Sequence, residues 1–125
     1  MNIIIPKGDD GTVSRADMPQ LDDADIPSLL AYLGTLNVKF AAGEMDPLTV
    51  RAHQAIDIDK AMAIPQKWLK TPVLISQEPI VIDGDHRWYR HCVDKTKMPY
   101  IQLEAEWHIC LKYIFAFPQT YEEKA

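Results

Sequence analysis

Two short β-branched runs with almost nothing between them constrain this chain more than any other feature. They are PVLIS at 72–76 and PIVI at 79–82, separated by Gln77 and Glu78 alone. Val and Ile at this density suit a pleated backbone, and so short a connection points to a tight hairpin return. The second run passes without a spacer into Asp83, Gly84, Asp85, His86 and Arg87. A helix is expected just beyond, over 88–93, with Tyr89, Cys92 and Val93 on its apolar side. A hairpin that feeds a glycine turn and then a helix is the organising unit.

The remaining elements arrange themselves around that unit. A short strand is expected at 3–5, stopped by Pro6 and the glycines at 8 and 11. Asp22, Asp23 and Asp25 precede Ile26 and Pro27, as a helix start would require, and the apolar run Leu29, Leu30, Leu33 should end near Gly34. A strand is expected at 37–40 and a loop at 41–46. Ile58, Ala61 and Met62 have helical spacing up to Pro65, a further strand is expected at 100–103, and Trp107, Cys110, Leu111 and Ile114 again have helical spacing. Strands with interspersed helices give a mixed α+β class, with a small mixed sheet and flanking helices. At 125 residues the chain holds one domain, 1–125, rather than two.

Charge narrows the partners. The whole chain is net −5, but the deficit lies in residues 1–50, whereas 51–97 carry an excess of basic groups. An acidic whole works against non-specific coating of duplex DNA, and leaves a local phosphate site in the middle third open. No apolar run approaches the ~20 residues that span a bilayer. The start lacks the basic and apolar regions of a signal peptide, and the two cysteines make no CxxC pair. A cytoplasmic location with reduced thiols and no membrane contact is expected.

The residues 83–87 concentrate the polar chemistry. A glycine between strand and helix permits a tight turn and close approach of a ligand to the main chain. The helix start offers unpaired N–H groups and the positive end of a dipole to an anion. Arg87 is placed to give a forked contact to a phosphate. Asp83 and Asp85 are the candidate Mg²⁺ ligands, and Asp83 and His86 the candidate proton-transfer groups. The competing reading is structural: an aspartate caps the helix and Arg87 pairs with an acid.

With these residues in view, the sequence resembles the ParB/sulfiredoxin-like domain in the stand-alone form found in bacteriophages. The resemblance rests on PVLIS at 72–76, IVIDGDHRW at 80–88 and MPYI at 98–101, with RADMPQ at 15–20, His53 and Gln54 upstream. It covers roughly residues 12–118. It implies a nucleotide-phosphate site, with ATP or CTP as ligand, in which Gly84 admits the phosphates and Arg87 neutralises them. Asp85 and Arg90, which flank the turn, complete the nucleotide-contacting candidates. Asp83 or His86 takes the part of general base or Mg²⁺ ligand, for hydrolysis or phosphoryl transfer.

Departures from the family pattern exclude some of its members. Sulfiredoxin carries its catalytic cysteine where this chain has Asp85, so sulfinic-acid reduction is not expected. Partition proteins have a small residue in place of Arg90, together with a DNA-reading helix-turn-helix for which 125 residues leave no room. Two rivals stand beside the nucleotide reading: a metal-dependent ParB-like DNase, and a non-catalytic phage protein that binds a host factor.

Residues outside the turn have their own readings. Trp68, Trp88 and Trp107 are expected in packing or an interface, Cys92 in the core, and His53 and Gln54 beside the site. The tail aromatics Trp107, Tyr113, Phe115, Phe117 and Tyr121 are expected to close the core, with self-association as a homodimer the alternative.

Overall fold

A computed structural model describes residues 25–52 and 55–117. The expected strand at 3–5 and the calls on Asp22, Asp23, His53, Gln54 and Tyr121 lie outside the described residues. The fold is α+β: among the described residues four α-helices, α1 (Ile26–Thr35), α2 (Ile58–Met62), α3 (Asp85–Asp94) and α4 (Trp107–Phe115), accompany one mixed sheet. Its strands are β1 (Phe40–Met45), β2 (Val73–Ile75), β3 (Val81–Asp83) and β4 (Met98–Leu103), in the order β1-β4-β2-β3. The expected hairpin is β2 against β3, antiparallel, with Leu74 opposite Asp83 and Ile75 opposite Val81. β4 lies parallel to β2 and antiparallel to β1.

The hairpin runs are continuously apolar because both faces of the sheet are covered. Side chains alternate faces along a strand. Accordingly Leu74, Ile80 and Ile82 join one core with Leu29, Leu33, Leu103, Trp107 and Ile114. Val73, Ile75 and Val81 point to the other, with Val50, Trp88, Cys92 and Met98. Trp107 and Phe117 are buried and Tyr113 packs against them, so these tail aromatics close the first core, whereas Phe115 is exposed.

Two expectations are corrected. Residues 41–45 are not a loop: β1 occupies Phe40–Met45 and pairs with β4 along its whole length, and of the strand expected at 37–40 only Phe40 belongs to it. Its residues are exposed on both faces, so it lacks the apolar alternation by which a strand is recognised. The second correction concerns α3, which starts at Asp85 and buries Asp85, Trp88, His91 and Cys92, while Val93 faces solvent. Polar groups on the inner face displaced the apparent apolar stripe. Trp68 is also exposed, away from either core.

Contacts between elements fix α3 to the turn after β1 and α4 to the hairpin. The Trp88 indole N–H donates to the Pro47 carbonyl at 2.7 Å, and the Trp107 indole to the Val81 carbonyl at 3.1 Å. Both carboxylate oxygens of Glu78 accept from the Trp107 backbone N–H at 3.0 Å, which caps the start of α4 from the hairpin turn. No helix among the described residues is long and apolar enough to cross a membrane.

Candidate functional site

The turn between β3 and α3 is built on Gly84, whose φ of 106° lies in the region other residues avoid. Its carbonyl accepts the first bond of the helix, from the Trp88 N–H at 2.9 Å. The N–H groups of the first turn thus lie at the end of a strand, beside Gly84. The Arg87 guanidinium folds back over this glycine: a Cβ added at Gly84 would meet Arg87 Nη2 at 2.9 Å and Nε at 3.2 Å. Arg87 Nη2 also lies 3.4 Å from Asp83 Oδ2, and both side chains are largely buried. The sheet therefore presents a carboxylate, a bare backbone turn and a guanidinium in immediate succession.

The other predicted site residues take different positions. Asp85, 4% exposed, opens the helix and is turned into the protein. His86 Nε2 accepts from the Asp57 backbone N–H at 3.1 Å, which puts the ring proton of the neutral form on Nδ1 and ties α3 to the start of α2. Arg90 is directed away from Gly84. Its Nη1 donates to the carbonyls of Ala61, Met62 and Ile64 at 3.4, 3.0 and 3.2 Å, and its Nε to Asp94 at 3.0 Å. The guanidinium closes the C-terminal end of α2, where carbonyls lack helical partners and a cation is favoured. Asp83, Gly84 and Arg87 are thus brought together, and Arg90 is engaged elsewhere.

Among the described residues no three His, Cys, Asp or Glu side chains gather as a metal-binding group. Of the two expected Mg²⁺ ligands, Asp83 is the more accessible and lies 3.4 Å from Arg87, whereas Asp85 is buried and turned inward. The thiols supply no nucleophile: burial and the Asp46 charge push Cys92 up to about 11, and burial and the Glu78 charge push Cys110 up to about 12.

Sequence reasoning missed His91, because its partners are distant in the chain. Its Nε2 must donate to the Leu69 carbonyl at 3.1 Å, since a carbonyl only accepts, and Nδ1 then accepts from the Thr96 hydroxyl at 2.9 Å. Burial is the first cause that pulls its pKa below the ordinary 6.5. The unfolded chain therefore binds a proton here more readily than the folded one, and His91 makes stability fall as pH drops below 6.5. Urea midpoints of wild type and His91→Gln should converge between pH 7.5 and pH 5.5, roughly the window around a free imidazole. A difference that stays constant across that range would show that folding leaves the proton affinity of His91 unchanged.

Comparison with known proteins returns no matching family model, no matching curated protein and no matching solved structure.

Proposed function

We propose that the chain is a ParB/sulfiredoxin-like protein that binds a nucleotide, ATP or CTP, through its phosphates at Gly84–Arg87. The observation that carries this reading is the guanidinium of Arg87 held directly over a left-handed glycine at a helix start. A cation, the positive end of a helix and a surface without Cβ converge on one spot, and each favours an anion. Asp83 holds Arg87 over the turn until phosphate competes for the same guanidinium. When bound with the nucleotide, Mg²⁺ supplies charge neutralisation across the phosphate oxygens. Asp83 is the candidate base for hydrolysis or phosphoryl transfer. His86, with Nε2 engaged by Asp57, positions the start of α3.

Calorimetric titration of ATP and CTP, each with Mg²⁺, with phosphate release followed on the same samples, tests the reading. Wild type is expected to bind at least one nucleotide. Arg87→Ala should weaken it by roughly ten- to a hundredfold, as loss of a charge-assisted hydrogen bond of about 1.5–3 kcal/mol implies. Arg90→Ala should retain binding and lose thermal stability instead. Folded wild type that takes up neither nucleotide sinks the proposal, and plasmid cleavage with Mg²⁺ and no nucleotide would replace it with the DNase.

A further inference from the structure

The two edges of the sheet are treated differently. Beyond β3 the chain at Arg51 runs alongside, with its N–H donating to the Pro79 carbonyl at 3.2 Å and its carbonyl accepting from Val81 at 2.8 Å. The opposite edge is β1, the outermost strand among the described residues. Strands at sheet edges are ordinarily protected by lysine, proline, a bulge or a covering loop. In β1, with the sequence FAAGEM, there is no lysine and no proline. Its pairing with β4 runs without interruption from Phe40 opposite Leu103 to Met45 opposite Met98. Five of its residues, 40–44, are exposed, and Phe40 is 49% exposed.

The direction of the unused backbone groups follows from one hydrogen bond. The Glu104 N–H donates to the Lys39 carbonyl at 2.8 Å, so Lys39 faces β4. Main-chain groups alternate sides along a strand in an antiparallel ladder. Residues 41, 43 and 45 then also face β4, and Phe40, Ala42 and Glu44 turn their N–H and C=O groups outward.

We infer that β1 pairs antiparallel with β1 of a second copy of this chain, about a two-fold axis at Ala42. The outward groups are symmetric about that residue. Ala42 then lies opposite Ala42 of the second copy and Phe40 opposite Glu44, and each such pair exchanges two main-chain hydrogen bonds. This register places no like charges opposite one another and sets the smallest side chains on the axis, where a self-pair tolerates neither bulk nor charge. Glu44 lies across from Phe40 and Lys39 across from Met45. Because the β3 edge is already taken, the pairing closes as a dimer and does not propagate into a fibre. The inference is independent of the nucleotide site.

A six-residue ribbon is a small interface, at the weak end of specific association below about 1,200 Å². Sedimentation equilibrium from about 1 µM to about 1 mM should therefore show the mass rising from 14.3 kDa toward twice that value. Ala42→Pro removes an N–H that the monomer does not use, as proline does without harm on an edge strand. It should stay monomeric with thermal unfolding near that of wild type. Ala42→Lys places two cations on the axis and should also be monomeric, which decides the matter if the proline variant misfolds.

Cysteine scanning fixes the register. Under oxidation Ala42→Cys should cross-link to its own copy, since a hydrogen-bonded pair stands at about 5.5 Å between Cα atoms, within disulfide reach. Phe40→Cys should not. Wild type that stays monomeric throughout, substitutions at Ala42 that leave the dimer intact, or a cross-link at Phe40→Cys would each overturn the inference.

Discussion

Trp88→Ala is expected to destabilise the protein by about 3–5 kcal/mol, the range for removal of a fully buried large aromatic. Trp88 is 3% exposed in the core beneath α3, among Val50, Val73, Val81 and Met98. Its truncation removes that packing and leaves the Pro47 carbonyl without the indole donor. Trp88→Phe separates the two contributions: it keeps much of the packing and loses only the indole hydrogen bond, about 0.5–1.5 kcal/mol, because the Pro47 carbonyl still accepts from the Val50 N–H at 3.1 Å. A domain of this kind has about 5–15 kcal/mol in total, so the alanine variant is left near the margin of folding. Urea denaturation of the three proteins gives both numbers. A Trp88→Ala loss below about 1 kcal/mol, no larger than an average substitution, would mean that α3 is held by something other than this anchor. The anchor bears on the proposed site because α3 follows Gly84 and carries Arg87.

What the sequence disclosed depends on how far apart the interacting residues are. The hairpin of β2 and β3, the glycine turn and the starts of α1 and α4 are written in adjacent residues, through β-branched runs, Pro27 and the helical spacing after Trp107. β1 was hidden because Met45 alone of its residues packs against a core: Ala41, Ala42 and Gly43 have weak strand preferences, and their partner strand lies some sixty residues onward, at 98–103. The inner face of α3 was misread because His91 and Asp85 are buried polar groups, and burial of such groups is decided by partners such as Leu69 and Thr96.

The candidate site was legible to the same extent. Asp83, Gly84 and Arg87 lie within one turn of chain and meet as expected. Arg90 has the same charge and lies one helical turn further on. Its position on the carbonyls of α2 follows only from where α2 comes to rest. Glu78 as the cap of α4 is a contact across 29 positions that no local pattern announces.

Gly84→Ala is expected to cost about 1–3 kcal/mol through the backbone, because at a φ of 106° an L side chain is strained whatever space surrounds it. A second effect comes from contact. The new Cβ would stand 2.9 Å from Arg87 Nη2, closer than real Cβ atoms approach, and the flexible guanidinium would be driven off the turn. The two effects are separable in a double-mutant cycle with Arg87→Ala. The contact term disappears when Arg87 is already truncated, whereas the backbone term persists, so the two substitutions should couple by about 0.5–3 kcal/mol. Equal losses in both backgrounds would show that Arg87 does not rest on Gly84. The same variant probes the proposed site from the main-chain side. Alanine at this position leaves the charge of Arg87 in the protein but occupies the surface where phosphate would lie, so nucleotide affinity should fall at least about tenfold, equivalent to 1.4 kcal/mol. Arg87→Lys, which keeps the charge without the planar fork, should fall between wild type and Arg87→Ala. Phosphate held by the convergence of bare backbone and guanidinium predicts that order, whereas attraction to positive charge alone predicts that Arg87→Lys and Gly84→Ala both bind like wild type.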